Sequence, residues 1–160
     1  MEIVIAPADL DAVRQLRDSV LRPRLPPGGS VYPGDNHPET LHLGAFLAGK
    51  LVAVASVCCE PPPGECDPVV WRVRGMATLP AQRGHGLGGK LLNQCLLHAR
   101  KLGGRRVWCS ARVGVAEFYH ARGFASVGEP FALPQYSDEP YVRMEQQLHV
   151  AEERLDVEDN

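Results

Sequence analysis

The sequence lacks long apolar runs. No stretch approaches the roughly 20 apolar residues that a membrane-spanning helix needs, and the first thirty residues contain no apolar core of the kind found in secretory signals. These absences argue against a membrane partner and favour a cytoplasmic protein.

The chain also lacks the cysteine pattern of a disulfide framework or of a structural zinc site. Its five cysteines are odd in number, and the neighbours Cys58 and Cys59 are poorly placed to bridge each other, so we expect reduced thiols. A metal site built from Cys58, Cys59, Cys66 and a histidine is the alternative, but the C-x-x-C spacing that structural zinc prefers is absent. We therefore expect no metal.

A concentrated basic face is missing too. The net charge is −2, and the last ten residues hold five acids and one arginine, so they contribute −4 and leave +2 on the other 150 residues. Such a mild charge gives no support to a nucleic-acid partner. We expect residues 151–160 to be an acidic, disordered tail that follows a single domain of residues 1–150.

The apolar pattern within residues 1–150 alternates between strand and helix periods, with neither repeats nor a second domain, which predicts an α/β fold. Asp9 is the predicted cap of a first helix, and a stripe of Leu87, Leu91, Cys95, Ala99 and Leu102 predicts a second helix over residues 87–102. The predicted strands are 2–6, 41–47, 51–57, 71–78, 106–110, 124–127 and 141–147. We expect the proline-rich loop 22–40 and the loop 129–140 to shape a binding site.

Residues 83–88, which read Arg-Gly-His-Gly-Leu-Gly, join a predicted strand to a predicted helix. A glycine-rich turn that opens a helix presents unpaired backbone N–H groups and the positive end of the helix dipole, so it is suited to hold phosphate. Leu91 follows Lys90 where a Walker loop needs Ser or Thr, and the glycine spacing differs from the dinucleotide fingerprint. Both of these phosphate loops are therefore excluded.

The turn resembles the pyrophosphate loop of the GNAT superfamily of acyl-CoA-dependent N-acyltransferases, because Arg83-x-x-Gly86-x-Gly88 fits the pattern Gln/Arg-x-x-Gly-x-Gly/Ala. Residues 116–124 resemble the short helix of that family and its Tyr-x-x-x-Gly-Phe turn. Weaker similarity to the small bacterial ElaA-type branch lies at residues 16–21, Asp35, His42 and residues 140–144. The resemblance implies a mixed, mostly antiparallel central sheet that is flanked by helices.

The resemblance also implies an activity, the transfer of an acetyl group from acetyl-CoA to a primary amine by direct attack in a ternary complex. The coenzyme A site would then comprise Met76, Ala77, Thr78, Arg83, Gly84, His85, Gly86, Leu87 and Gly88. Tyr119 stands where the tyrosine acid of the family stands, and it would protonate the leaving thiolate. Gly75 predicts a bulge that splays the fourth strand.

Four alternatives stay open beside this interpretation. Tyr119 and Phe118 would pack the short helix if they had no catalytic role, and Cys109 would suggest a covalent acyl-enzyme if it were not simply a buried strand residue. A non-catalytic acyl-CoA-binding sensor or interaction module is favoured if Tyr119 can be removed without loss of turnover. A transferase for longer acyl groups depends on the depth of the pocket.

The amine acceptor is not identified by the sequence, which allows a small molecule or a peptide, and a homodimer is equally open. His42 and Arg74 are the candidate acceptor-binding residues, although His42 is also typical of a structural histidine. Arg72 and Arg74 lie on one face of a strand, where an internal ion pair is favoured over recognition of an acidic acceptor. The candidates for the general base are His42, Glu60, Asp67 and Glu117.

Two positions depart from the family pattern. Arg112 stands where an asparagine often precedes the tyrosine by seven residues, which puts the usual contact of that asparagine with the cofactor in doubt. Tyr141 replaces the histidine that the ElaA-type branch has before the last strand. An acceptor role of that histidine does not transfer, although a tyrosine can still form a hydrogen bond.

Overall fold

The computed structural model describes residues 2–26 and 28–149, so the predicted acidic tail of residues 151–160 lies outside the described residues. The strands are β1 (Ile3–Pro7), β2 (Leu41–Leu47), β3 (Lys50–Cys59), β4 (Val70–Thr78), β5 (Arg106–Arg112), β6 (Ala125–Phe131) and β7 (Tyr141–Gln147). The α-helices are α1 (Leu10–Leu21), α2 (Leu87–Lys101) and α3 (Ala116–His120), and two 3₁₀ turns cover Pro80–Gln82 and Val113–Val115. Within this part of the chain, no helix is long and apolar enough to cross a membrane.

The strands form one sheet in the order β1-β2-β3-β4-β5-β7-β6. Only β4 and β5 pair in parallel, whereas the other five neighbours are antiparallel. The prediction of a mixed, mostly antiparallel sheet with flanking helices is therefore confirmed. The edge strand β6 runs four residues beyond its predicted end at residue 127. The prediction was too short because the strand is exposed along its whole length and has no alternating burial for a sequence pattern to reflect.

Helices α1 and α2 cover opposite faces of the sheet. Alternate residues of β3 point to opposite faces, and the two sets pack against different helices. Ala53, Ala55 and Val57 belong to the core that α2 completes, whereas Val54 packs with Val13 of α1. The predicted stripe of α2 is buried at Leu87, Leu91, Cys95 and Ala99. Leu102 departs from that prediction, because α2 ends at Lys101 and the side chain of Leu102 is exposed.

Strand β4 separates from β5 after a short stretch of pairing. The two strands pair only between Val70–Arg72 and Arg106–Trp108, although β4 continues to Thr78 and β5 to Arg112. The register of β3 against β4 shifts between Val54 and Ser56, opposite Gly75, whose φ is +67°. The predicted bulge at Gly75 is therefore confirmed, and it leaves a gap between β4 and β5.

A buried ion pair joins α1 to the loop that follows it. The side chain of Arg17 is fully buried, and its guanidinium forms two hydrogen bonds with Asp35, of 2.9 and 3.1 Å. It also donates to the backbone carbonyl of Ser30 at 3.0 Å and to the hydroxyl of Ser56 on β3 at 2.9 Å. One side chain therefore fixes α1, the loop 22–40 and the centre of the sheet relative to one another.

The surroundings of Asp35 keep its carboxyl ionised. Burial alone would raise the pKa of Asp35, but the hydrogen bonds from Arg17, from the Tyr32 amide and from Arg14 outweigh it, and the net effect lowers the pKa. Because the pKa is lower in the folded chain than in the unfolded chain, the interaction stabilises the fold at neutral pH. That stability is lost as the pH falls below about 4 towards the folded-state pKa.

We predict that Asp35→Asn destabilises the protein by about 3–5 kcal/mol, because it leaves the buried charge of Arg17 without a counter-ion. Urea unfolding at pH 7 measures the difference. Asp138→Asn is the matched control, because it breaks an ion pair with Arg24 that is exposed, and its expected cost is below about 1 kcal/mol. Equal costs for the two variants would contradict a special role of the buried pair. The same contradiction would follow if Asp35→Asn lost as much stability in acid as the wild type does.

Candidate active site

The glycine-rich turn opens helix α2 in the predicted way. Gly84 and Gly86 have φ values of +84° and +78°, in a region that other residues rarely adopt. Gly86 is the N-cap of α2, no side chain caps this end, and the first turn holds no acid. The amides of the first helical turn lack partners within the helix, so they are free to bind an anion.

A groove of about 580 Å³ begins at this turn and follows the end of β4. Its volume lies within the range of small-molecule sites. The predicted coenzyme A residues that line it are Met76, Ala77, Thr78, Arg83, Gly84, Gly86, Leu87 and Gly88. His85 is the exception, because it does not line the groove, and its exposed ring lies 3.1 Å from the backbone carbonyl of Gln82.

Arg122 also lines the groove, although the sequence did not single it out. Its guanidinium donates to the carbonyl of Phe118 at 2.9 Å and stacks over the Phe118 ring at 4.0 Å. A side chain at Gly89 would approach that guanidinium within 2.9 Å, so the absence of a Cβ there lets Arg122 lie against the first turn of α2. The only signal in the sequence is the basic residue before Gly123 in the Tyr-x-x-x-Gly-Phe turn.

Tyr119 is a buried residue that lines the groove. Its ring packs edge-on against Phe118 and Phe124, and its hydroxyl lies 3.9 Å from the sulfur of Met76 on β4. Burial, with the neighbouring Cys109 thiol, raises the pKa of Tyr119 well above its ordinary value. The hydroxyl therefore stays protonated over the whole neutral range and is available as a donor.

A second, smaller cavity of about 170 Å³ occupies the gap between β4 and β5. It shares Leu21, Met76, Arg112, Val115 and Tyr119 with the groove. Its other polar or charged side chains are Arg22, Arg74, Cys109, Ser110 and Tyr141. Tyr119 therefore lines both spaces, so that a molecule in the groove and another in the small cavity would both lie beside this side chain.

Residues that were considered for the acceptor and for the general base are mostly engaged elsewhere. His42 lies outside both cavities, and its ring nitrogens are 2.7 Å from the Ser56 hydroxyl and 2.9 Å from the Asp35 carbonyl. Because a carbonyl only accepts, the nitrogen beside Asp35 carries a proton, and the other nitrogen accepts from Ser56 in the neutral ring. These hydrogen bonds are typical of a structural histidine, so we do not retain His42 as an acceptor residue.

The three carboxylate candidates for the general base also lie outside both cavities. Glu60 pairs with Arg72 at 3.2 Å and with Arg74 at 3.7 Å, which confirms the internal ion pair predicted for those arginines. Asp67 accepts a hydrogen bond from the amide of Val69. Glu117 is almost fully exposed on α3.

The cysteines differ in their access to solvent. Cys58, Cys95 and Cys109 are buried, whereas Cys59 and Cys66 are exposed. Burial raises the pKa of the three buried thiols to about 12, which leaves Cys109 protonated beside Tyr119 and makes it a poor nucleophile. In residues 2–26 and 28–149, no group of three or more His, Cys, Asp or Glu side chains is placed to hold a metal ion.

Comparisons with known proteins agree with this geometry. The model of the acetyltransferase (GNAT) family matches residues 10–124. A curated relative from Bacillus subtilis strain 168, described as the uncharacterized N-acetyltransferase YitI, is 32% identical over 120 residues, which cover 75% of this chain and 80% of the relative.

Solved structures with the same fold include an acyl-CoA N-acyltransferase from Pseudomonas aeruginosa, which is 25% identical with a TM-score of 0.71. That match covers 91% of this chain and 98% of the other. Escherichia coli ElaA superposes with a TM-score of 0.72 at 21% identity, again over 91% of this chain and 98% of the other.

We predict that a thiol-alkylating reagent at pH 8 modifies Cys59 and Cys66 in the native protein and leaves Cys58, Cys95 and Cys109 unmodified until the chain is unfolded. Mass spectrometry of peptides from native and urea-treated samples measures the extent at each site. Rapid native alkylation of Cys109 would show that its thiol is accessible and ionised, and it would revive the covalent alternative.

Proposed function

Because the chain belongs to the acetyltransferase (GNAT) family, we propose that it transfers an acetyl group from acetyl-CoA to the nitrogen of a primary amine by direct attack in a ternary complex. The observation that supports this most strongly is that Tyr119 lines both the groove, which also borders the free amides of α2, and the smaller cavity. The groove receives acetyl-CoA and the cavity receives the amine.

The residues of the groove fit the diphosphate of coenzyme A. Gly84 and Gly86 add no side chains of their own to the turn at the N-terminus of α2, where the helix dipole favours negative charge. Arg83 and Arg122 add two guanidinium groups to the lining, and no carboxylate among the described residues lines the groove to oppose them. We therefore propose that Arg83, Gly84, residues 86–89 and Arg122 bind the diphosphate.

The end of β4 is suited to hold the pantetheine arm. Beyond Arg72 the strand no longer pairs with β5, so on this side the backbone groups of Met76 and Thr78 have no strand partner among the described residues. An extended arm that lies in the groove along the end of β4 would accept and donate hydrogen bonds as a short strand does. His85, which does not line the groove, is left out of this proposal.

Tyr119 is the proposed acid. Bound acetyl-CoA supplies an activated thioester, and the amine can attack it only after its ammonium has lost a proton. The Tyr119 hydroxyl stays protonated because its pKa is raised by burial, so it can donate to the sulfur as the carbon–sulfur bond breaks. Protonated Cys109 offers no competing nucleophile, which favours direct attack over an acyl-enzyme.

The nature of the acceptor is the finer part of the proposal. Both a small-molecule amine and a peptide amine remain within it, and the cytoplasmic location and the homodimer stay predictions from the sequence. The general base is also left open, because none of the four candidate side chains lines either cavity.

We predict that the wild-type protein binds acetyl-CoA with micromolar affinity in a calorimetric titration and that Gly86→Glu loses this binding. The introduced carboxylate would stand at the N-cap of α2 and repel the diphosphate.

Gly103→Glu is the matched control. Gly103 also has a positive φ, of +90°, and open space around it, but it follows the opposite end of α2. Both variants should lose about 1–2 kcal/mol of stability from backbone strain, while only Gly86→Glu should lose the ligand. Absence of binding to the wild type would overturn the proposed function. Equal binding to both variants would show that the diphosphate does not bind at this turn.

A further inference from the structure

We infer that the acceptor amine carries an anionic group, a carboxylate or a phosphate, which the arginines of the smaller cavity bind. This inference rests on the proposed function, because it takes the smaller cavity as the place of the acceptor. It goes further in naming the chemical class of the substrate.

Three arginines from three different parts of the fold line this cavity. Arg22 follows α1, Arg74 lies on β4 beside the bulge, and Arg112 ends β5. Among the described residues, the lining contains no carboxylate. Guanidinium groups bind carboxylate and phosphate through paired hydrogen bonds, so their convergence on one cavity selects an anion.

The charge of these arginines is not cancelled within the described part of the protein. Arg22 and Arg112 form no ion pair there, and Arg22 donates only to its neighbouring backbone carbonyl, that of Leu21. Arg74 lies 3.7 Å from Glu60, but Glu60 is closer to Arg72, at 3.2 Å. One carboxylate is therefore shared by two arginines, and the cavity keeps a net positive charge.

Aromatic rings hold two of the arginines in place without neutralising them. The Arg74 guanidinium lies 3.8 Å from the centre of the Tyr32 ring, and that of Arg22 lies 4.0 Å from the centre of Tyr136. Such stacking orients a cation and leaves its charge in place. The rings belong to the loops 22–40 and 129–140, which the sequence predicted to shape the site.

A buried hydroxyl adds a neutral donor. Tyr141 lines the cavity and is only 6% exposed, and its hydroxyl has no hydrogen-bond partner among residues 2–26 and 28–149. A buried polar group without a partner costs free energy unless a ligand satisfies it. An anionic group of the acceptor would accept a hydrogen bond from Tyr141, at the position where the ElaA-type branch has a histidine.

The size of the cavity limits the acceptor. A space of about 150 Å³ admits a molecule such as benzene, and this cavity measures about 170 Å³. A free amino acid or a small phosphorylated amine is of the appropriate size, as is the end of a longer molecule. The positive charge would also lower the pKa of a bound ammonium group, because like charges disfavour the protonated form. Deprotonation of the acceptor is thereby eased, although no candidate base lines the cavity.

The test compares pairs of amines that differ only in the anionic group. Free L-amino acids are set against their carboxamides, and phosphoethanolamine is set against ethanolamine, so that the two arms separate carboxylate from phosphate. Binding of each amine to the protein is measured by calorimetry with and without coenzyme A, and turnover is measured as coenzyme A released from acetyl-CoA.

We expect the anionic member of at least one pair to bind with a Kd, and to react with a KM, about tenfold to a hundredfold lower than its neutral partner. Arg22→Gln should reduce that preference and leave acetyl-CoA binding unchanged. Arg24→Gln is the matched control, because Arg24 lies in the same loop but outside the cavity and pairs with the exposed Asp138. It should retain the full preference.

The outcomes separate the inference from the function on which it rests. If acetyl-CoA binds but no pair shows a preference for its anionic member in binding or in turnover, the inference is wrong and the proposed function stands. If acetyl-CoA does not bind, the proposed function fails, and amine binding alone then decides whether the cavity recognises an anion. A preference that Arg22→Gln leaves intact would also overturn the assignment to this cavity.

Discussion

The ion pair between Arg17 and Asp35 is the interaction on which the arrangement of the site depends. It joins the first helix to the loop 22–40 and, through Ser56, to the centre of the sheet. A buried pair of this kind contributes little net stability relative to an apolar core, but breaking it by removing one partner leaves an uncompensated buried charge and is costly. In this protein it ties Ser30 and Asp35 of the loop to Arg17 of α1 and to Ser56 of β3.

The same arginine also bears on the bulge of β4. A Cβ at Gly75 would lie 2.7 Å from the Arg17 Nε, so only glycine allows the strand to bend while Arg17 keeps its position. The Arg17 guanidinium lies 4.2 Å from the centre of the Tyr32 ring, and the Arg74 guanidinium stacks on the same ring. The Arg74 guanidinium, which faces the small cavity, is therefore oriented by the Tyr32 ring. Arg17, a member of the buried ion pair, packs against that same ring. His42 belongs to this network through Ser56 and Asp35, which explains why it is not free to bind an acceptor.

The sequence predicted features that depend on neighbouring residues. The glycine turn, the stripe of α2 and the Asp9 cap, which accepts from the Ala12 amide at 3.2 Å, are all local patterns, and the structure has them where they were expected except at Leu102, which lies beyond the end of α2. The bulge at Gly75 was predictable for the same reason, because a bulge with a positive φ, here +67°, favours glycine at that position. Strand β6 was predicted too short, since an exposed edge strand lacks the alternation on which strand prediction depends.

Features that depend on long-range packing could not be predicted in this way. The sequence indicated that Arg72 and Arg74 would form an ion pair with an acidic residue of the protein. It gave no sign that this residue is Glu60, which lies across a proline-rich loop. Arg22, Arg74 and Arg112 are far apart in the chain, so only the fold shows that they line one cavity. Arg112 was noted as a departure from the family pattern, and its position at the junction of the groove and the cavity became clear only from the structure.

The central claim is that a donor in the groove and an acceptor in the small cavity meet at Tyr119. A crystal structure of the protein with acetyl-CoA tests it most directly. The account predicts the diphosphate against the amides of Gly84 and residues 86–89, and the thioester in the groove, in contact with the Tyr119 hydroxyl. A diphosphate bound elsewhere, or a thioester remote from Tyr119, would contradict it.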